Sequence, residues 1–349
     1  MIKKNSIEKI GNLIESDVQN LEKELTKKSF SQNCLIVKPV NQWVEEAKTR
    51  PIPNMLFSEL WYENELCILY ADTNVGKSIM AVQIAESISS GKPIENFKFE
   101  AFPQKVLYLD FELSDKQFEK RYSDNYERHF KFHPNFLRAE LNPLADIPKE
   151  YKGVEDYLCA ELTNIIKKNG AKVVIIDNLT FLQNDNEKAK YALELMKQLK
   201  KITKELNVSV MVLAHTPKRD ETKPISKNDL AGSKMLINFC DSAFAIGFST
   251  EDPSYRYIKQ IKQRNTEHLY HSGNVLICAL GKNSNFLQFR FLFYDSELNH
   301  LKQPQNNSLK NRDIEMTHLI SEGLSNMAIG EKLGIHESTV RKRRNKLNM

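Results

Sequence analysis

The residues best suited to chemistry form one short segment between an apolar run and a helical stretch. The segment is Ala71-Asp72-Thr73-Asn74-Val75-Gly76-Lys77-Ser78, and it follows the apolar run Leu66 to Tyr70. Small and polar residues in this position can turn backbone N–H groups toward a phosphate, and the positive end of the next helix adds to the attraction. Lys77 can then reach the β- and γ-phosphates of ATP, and Ser78 can bind Mg²⁺. A chance strand-to-helix turn is the alternative for this segment alone.

An acidic residue closes a later apolar run, Val173-Val174-Ile175-Ile176-Asp177. A buried strand that ends in a carboxylate presents the acid at the sheet edge, where it can meet the water shell of Mg²⁺. We therefore predict that Asp177 belongs to the ATP site and contacts the metal through water. An ordinary core strand that ends in a turn is the alternative.

A second acid, Glu112, follows the apolar run Val106 to Asp110. The next residues, Ser114 to Gln117, carry the spacing of a capping box and predict the start of a helix. Glu112 thus lies at the carboxyl end of a strand, where ligand crevices of α/β proteins form, and it is the candidate general base for water that attacks the γ-phosphate. A glutamate that merely complements the positive end of the helix is equally compatible with the pattern.

The elements that must position these residues alternate along the chain. Short apolar runs rich in β-branched residues are separated by helical stretches, and the clearest strands are Val106 to Asp110, Val173 to Asp177 and Val208 to Ala214. Such alternation predicts an α/β fold with a mostly parallel central sheet. After Ala243 the apolar runs come closer together, which predicts hairpins that extend the sheet.

Taken together, these segments resemble the RecA-like P-loop ATPases of the DnaB and RepA hexameric helicase type, which are AAA-family ATPases. The resemblance spans roughly Phe57 to Tyr294. It accounts for Ala71, because that family often opens its phosphate loop with alanine. It implies that Glu112 is the catalytic glutamate and that Asp177 is the Walker B acid.

The same resemblance assigns roles to residues that carry little signal alone. Val212 to Thr216 is similar to the strand whose terminal polar residue senses the γ-phosphate, which implies that role for His215. Asp229 to Ser233 is similar to the stretch that includes a DNA-facing loop. Lys262-Gln263-Arg264-Asn265 looks like the segment whose lysine and arginine act on a neighbouring subunit, so Lys262 and Arg264 are predicted to be catalytic across an interface.

The last part of the chain changes to a pattern of three short helices, Asp313 to Glu322, Ser325 to Leu333 and Glu337 to Leu347. This spacing resembles the LuxR-type helix-turn-helix domain. The predicted DNA-binding residues are Ser338, Thr339, Arg341, Lys342, Arg344 and Asn345. Two departures from the family, Gly330 and His336, are expected to weaken the module, and a solvated basic helix or a protein-interaction bundle is the alternative.

Composition limits the remaining possibilities. The chain has 349 residues and a formal net charge of +5, and from Lys302 onward nine Lys and Arg residues face five Asp and Glu residues. Five scattered cysteines and eight histidines without ligand spacing favour neither a disulfide framework nor a protein-ligated metal. No run of apolar residues has the length of a membrane span, and the start lacks a secretory pattern, so we expect a cytoplasmic protein without membrane contacts.

The sequence therefore predicts four regions. Residues 1–50 carry an amphipathic helix, Ile7 to Leu25, and a connection that could dock on an adjacent subunit; residues 51–300 form the ATPase domain; 301–311 a linker; and 312–349 the helix-turn-helix domain. The leading hypothesis is a hexameric ring that hydrolyses ATP with Mg²⁺ and acts on DNA, as a RepA-type helicase of a plasmid or mobile element. The alternatives are an ATP-switched transcription regulator and a KaiC-like signalling ATPase.

Overall fold

The computed structural model describes residues 35–142, 144, 147–151, 153–178, 188–217, 219–230, 234–303 and 305–346. The chain divides into two compact units, Met1–Ile52 and Pro53–Met349. In the first unit the structure describes one helix, α1 (Val40–Lys48), whose exposed side chains include Val40, Trp43 and Val44. Among the described residues, no helix has the length and apolar composition to cross a bilayer.

The second unit is built on one large sheet, which has nine strands among the described residues. They are β3 (Leu66–Ala71), β4 (Val106–Asp110), β7 (Phe136–Ala139), β8 (Val173–Asp177), β9 (Ser209–His215), β10 (Ser242–Phe248), β11 (Tyr255–Lys262), β12 (Val275–Asn283) and β13 (Phe286–Asp295). Their spatial order is β13-β12-β11-β10-β3-β9-β8-β4-β7. Neighbours from β10 to β7 run parallel, and those from β10 to β13 run antiparallel. The predicted α/β class and mostly parallel sheet are confirmed.

Two short hairpins lie outside the main sheet. They comprise β1 (Met55–Phe57) with β2 (Trp61–Tyr62), and β5 (Ser123–Asp124) with β6 (Arg128–His129). The helices of the second unit are α2 (Lys77–Ser90), α3 (Asp115–Arg121), α4 (Val154–Asn169), α5 (Lys188–Leu206), α6 (Lys234–Phe239), α7 (Gln305–Ser321), α8 (Asn326–Leu333) and α9 (Glu337–Lys346). The capping box predicted for α3 is present, because Ser114 accepts from the N–H of Gln117 and the Gln117 side chain accepts from that of Ser114.

Apolar residues cover both faces of the sheet, as a parallel sheet requires. One core contains Tyr70, Val174 and Val212 together with apolar residues of α4 and α5. The other contains Leu69, Ile175 and Leu213 together with α2. Successive strand residues thus enter opposite cores. Because β3, β4, β8 and β9 pair in parallel, their carboxyl ends lie at one edge of the sheet.

The three C-terminal helices enclose a small core of Met316, Leu319, Ile329 and Val340. Helix α7 begins at Gln305, inside the segment predicted as the linker 301–311, and Leu301 is buried. The difference has a simple cause, because polar residues such as Gln and Asn do not exclude helix. The domain boundary itself stays a prediction.

The two departures expected to weaken this module have structural reasons. A Cβ on Gly330 would lie 2.7 Å from the carbonyl oxygen of Ile335, so α8 and the following turn approach more closely than alanine permits. His336 replaces a serine cap, since its Nδ1 lies 3.3 Å from the N–H of Ser338 and 2.9 Å from the Ser338 hydroxyl. Both residues thus make specific local contacts in the structure, and the helix-turn-helix assignment stays a prediction.

Candidate functional site

The loop between β3 and α2 has a backbone that few sequences adopt. Asn74 has φ of 61° and Gly76 has φ of 111°, and both values lie in the left-handed region. A Cβ on Gly76 would meet Cζ of Phe289 at 2.8 Å, so only glycine fits between the loop and β13. The turn brings Lys77 to the start of α2, where the first N–H groups of a helix have no acceptor within the helix, and this arrangement binds anions.

Lys77 folds back over this loop and is buried. Its ammonium donates to the carbonyl oxygens of Ala71 at 3.0 Å and Asp72 at 2.9 Å, and it lies 3.1 Å from Nδ1 of His215. Burial lowers the pKa of Lys77, and the nearby carboxylates of Asp177 and Glu112 oppose that shift. The cation is therefore held by neutral acceptors, which a phosphate can replace.

His215 connects Lys77 to Glu112. An ammonium can only donate, so Nδ1 of His215 is the acceptor and the proton of the neutral ring resides on Nε2. That Nε2 lies 3.3 Å from Oε1 of Glu112. The hydrogen bond from His215 lowers the pKa of Glu112, and its partial burial opposes the shift. Glu112 is thus an ionised carboxylate at the mouth of the site.

Asp177 ends β8 beside this group and is completely buried. The hydroxyl of Tyr108 donates to its Oδ2 at 2.5 Å, whereas Oδ1 has no hydrogen-bond partner among the described residues. Burial raises the pKa of Asp177 to about 6, against the opposing effect of the Ser78 and Tyr108 hydroxyls. A buried carboxylate oxygen without a partner next to Ser78 fits the oxygen ligands and bound waters that Mg²⁺ prefers.

Three residues of this edge were missed by the sequence reasoning. The side-chain amide of Asn178 donates to Glu112, and its nitrogen lies 2.9 Å from Nε2 of His215. Asn178 directly follows Asp177, and this position in the sequence could have identified it as a site residue. Tyr108 lies on β4, two residues before its end. Arg138 of β7 binds Asp110 at 2.9 Å and the carbonyl of Leu113 at 2.8 Å, which fixes the turn that carries Glu112.

Two cavities border these residues. One of about 480 Å³ is lined by Leu113, Arg121 and Lys282. The other, of about 430 Å³, is lined by Asp72, Thr216 and neighbouring residues. Either has the volume of a small-molecule pocket, so the edge has room for the nucleoside part of a nucleotide.

Lys262 and Arg264 lie at the opposite edge of the sheet. Lys262 pairs with Ala243 at the start of β10, and Arg264 lies 3.2 Å from Asp241, whose other oxygen accepts from the N–H of Leu66 at the start of β3. Strand β3 has six residues, so its length of roughly 17 Å separates this group from the phosphate loop. Within one chain these two residues therefore do not meet the site of Lys77.

The predicted DNA-binding residues lie on or beside α9. Thr339, Arg341, Lys342 and Asn345 are exposed, whereas Ser338 contacts His336 and Arg344 donates to Asn326 at 3.1 Å. Arg343, which the prediction did not include, pairs with Asp313 of α7. The predicted N-terminal helix from Ile7 to Leu25 and the residues 231–233 of the predicted DNA-facing loop lie outside the described residues.

Comparison with known proteins gives one family match. A model described as an AAA domain matches residues 37–221, which is more than half of the chain. No curated protein sequence matches the chain. Among solved structures, the chain is similar to a KaiC-like protein of the archaeon Pyrococcus horikoshii OT3, with 14% identity, a TM-score of 0.45, and coverage of 66% of this chain and 91% of that one. It is also similar to a second solved structure, an ATPase domain, with 16% identity, a TM-score of 0.48, and coverage of 65% and 85%.

Proposed function

This chain belongs to the AAA domain family of P-loop ATPases, and on that premise we propose that it is a ring-forming motor that hydrolyses ATP to act on DNA. The observation that carries the ATPase part is the continuous contact from Lys77 through His215 to Glu112, beside the buried Asp177. Lys77 supplies a cation, His215 a polar sensor, Glu112 a carboxylate base and Asp177 a buried acid. These four groups surround one point beyond the carboxyl ends of the strands. Hydrolysis of a γ-phosphate needs this set of groups.

ATP binding changes the partners of Lys77. An ammonium has three N–H groups, and three acceptors surround it here, the Ala71 and Asp72 carbonyls and His215. Phosphate oxygens that bind Lys77 must displace at least one of these acceptors. Release of His215 from Lys77 would leave Nδ1 free to take up a proton and donate it in a hydrogen bond to a γ-phosphate oxygen, which gives His215 its proposed role as sensor.

Glu112 is the proposed general base. Its carboxylate is ionised and partly exposed, so it can hold a water molecule and accept its proton. Ser78 and Asp177 would hold Mg²⁺, the latter through water, and the metal would neutralise charge on the phosphates. Arg138 fixes the turn that carries Glu112, and the Asn178 amide donates to the Glu112 carboxylate.

The ring and its trans-acting residues form the next part of the proposal. Lys262 and Arg264 lie about one strand length from their own phosphate loop, so they can serve only the site of another chain. Closed head-to-tail assembly brings one edge of each subunit against the opposite face of the next. We propose that hydrolysis therefore depends on assembly, most simply into a hexamer.

The proposed action on DNA depends on the C-terminal module. Its last helix exposes Arg341 and Lys342, and phosphate contacts by such residues supply affinity without sequence information. A RepA-type helicase of a plasmid or mobile element would use the module for recruitment and the ATPase ring for movement.

A helicase assay tests this proposal directly. The full chain should show DNA-stimulated ATP hydrolysis, ATP-dependent strand displacement, and a mass by light scattering that increases with ATP. Strand displacement that does not depend on ATP, or hydrolysis that is indifferent to DNA, would refute the motor.

One observation favours a second candidate function. The C-terminal helices form their own core, and Gly330 lets α8 pack closely against the turn that follows it. The module could therefore bind duplex DNA by itself. The protein would then be a transcription regulator whose oligomeric state is switched by ATP. Sequence-specific duplex binding with slow, DNA-independent hydrolysis would support this alternative. Slow, DNA-independent hydrolysis by a protein that does not bind DNA would favour a KaiC-like signalling ATPase.

A further inference from the structure

The segment Lys262-Gln263-Arg264-Asn265 is held along its whole length at the edge remote from the phosphate loop. Lys262 donates to the carbonyls of Ile237 at 2.5 Å and Cys240 at 2.7 Å. Gln263 donates to the carbonyl of Glu59 at 2.9 Å, and its own side-chain oxygen accepts from the next two backbone N–H groups. A solvated strand end would not have this number of contacts, so the geometry of the segment is specified.

Asp241 organises the charged part of this segment. Its Oδ1 lies 3.2 Å from Arg264, and its Oδ2 accepts from the N–H of Leu66 at 2.9 Å and pairs with Lys200 of α5. The carboxylate is therefore fixed by a strand and a helix before it meets the guanidinium. Lys200 and Arg264 share this carboxylate, which therefore orients Arg264 through a single contact. It does not form the two parallel hydrogen bonds that make an Arg–carboxylate pair strong.

Arg264 keeps donors for another partner. Its side chain is 53% exposed. Two of the five N–H groups of a guanidinium bind described residues here, Asp241 and the carbonyl of Asn238 at 3.4 Å, and both contacts are long. Lys200 and Lys262 lie in the same group, so cations outnumber the ionised carboxylate that faces them. The group suits a phosphate-class anion delivered from outside the chain.

Glu65 holds the backbone next to this group. It accepts from Asn265 at 2.7 Å, from the hydroxyl of Ser242 at 2.7 Å and from the N–H of Tyr62 at 3.1 Å. Because Glu65 directly precedes β3, whose other end enters the phosphate loop, one strand connects both groups.

We propose that Asp241 is the positioning residue for Arg264, and that its carboxylate holds the guanidinium ready for the nucleotide phosphates of a neighbouring subunit. This inference rests on the proposed trans role of Arg264. Asp241 acts through Arg264 and not on the nucleotide, so its effect must appear in the chain that donates the arginine.

Mixed assemblies test this requirement. Acceptor chains carry Arg264→Ala and keep Glu112; donor chains carry Glu112→Gln and keep Arg264. Each variant alone should hydrolyse ATP slowly, and mixing should restore the rate. Asp241→Asn added to the donor should reduce the restored rate roughly tenfold, the effect of losing one charge-assisted hydrogen bond, and the same change in the acceptor should leave it unaltered.

The controls separate the possible failures. Asp220→Asn in the donor, at an exposed turn where Asp220 binds Thr222 and Lys223, should not change the restored rate. If Asp241→Asn alters the circular dichroism spectrum, Asp241→Glu replaces it. That variant keeps the charge but displaces the carboxylate from Arg264, so it should again lower the restored rate in the donor alone. Equal effects of the Asp241 change in donor and acceptor, or none in either, would overturn the positioning role. No restoration on mixing the two parent variants would refute the trans arginine itself, and the inference with it.

Discussion

The two ends of β3 hold their charges in opposite ways. At the carboxyl end, Lys77 is bound by neutral acceptors, and buried Asp177 has one oxygen without a partner among the described residues. At the amino end, the Asp241 carboxylate is shared by two cations and a backbone N–H. Buried charges that lack ionic partners are costly and persist at sites that receive a ligand. We infer that the carboxyl end is the ligand-binding end of this chain, and that the amino end is a supporting end, which holds Arg264 in place for the nucleotide of another chain.

Lys77→Ala removes the cation of the ligand-binding end and should have the largest effect. Turnover should fall by about 10³-fold, the upper end of the range for one preorganised donor, because Lys77 donates to developing phosphate charge. Steady-state phosphate release measures it. Lys116→Ala, an exposed lysine on α3, is the matched control and should hydrolyse ATP at the parent rate. An unchanged rate in Lys77→Ala would remove the phosphate-loop assignment.

Glu112→Gln tests the base separately from binding. Turnover should fall by about 10²–10³-fold, the usual contribution of a general base, while ATP affinity by fluorescence titration stays within a factor of a few. The amide keeps the size of the side chain and its contact with His215, so the geometry is preserved. Glu127→Gln, on an exposed turn of the β5–β6 hairpin, serves as control. Normal turnover in Glu112→Gln would mean that another group accepts the proton.

The sequence predicted the ligand-binding end better than the supporting end. Ala71 to Ser78, Glu112, Asp177 and His215 come from segments far apart in the chain, yet each follows or ends an apolar run. Since parallel strands place their carboxyl ends at one edge, the pattern of runs indicated that the phosphate loop, Glu112 and Asp177 lie together. The role of His215 came only from the family resemblance.

The supporting end could not be predicted in this way. Asp241, Lys200 and Glu65 stand on a loop, a helix and the approach to a strand, and no periodicity relates them. Their meeting depends on how α5 packs against the sheet and on the register of β10 with β3, which single-sequence patterns do not specify. The extension of α7 to Gln305 was missed for a related reason, because polar residues at a helix start read equally well as a linker.

Glu65→Gln sharpens the comparison through pH. Burial raises the pKa of Glu65 from 4.5 to about 7, so its contribution to folding stability is complete below pH 4.5 and is lost as pH rises through 7. The loss is about 3 kcal/mol at most. The glutamine side chain does not titrate, so between pH 5 and 8 the urea midpoint of the variant should decline less than that of the parent.

Asp177 has a raised pKa in both the parent and the Glu65→Gln variant, so its effect on stability cancels when the two are compared. The remaining difference between their urea midpoints reports on Glu65. Exposed Glu205→Gln is the control and should follow the parent. Parallel curves for Glu65→Gln and the parent would show that Glu65 is not desolvated in the folded chain.

Gly76→Ala tests whether the ligand-binding end depends on backbone shape as well as charge. Alanine at φ of 111° is strained, and its Cβ would approach Phe289 to 2.8 Å. We expect a loss of about 1–3 kcal/mol in unfolding free energy, measured by urea denaturation, because such a conformation costs about that much for a residue other than glycine. Gly281→Ala on β12 is the matched control, because a Cβ there meets nothing within 4 Å. Equal stability of the two variants would mean that the loop relaxes freely, and the ligand-binding end would then differ from the supporting end in charge alone.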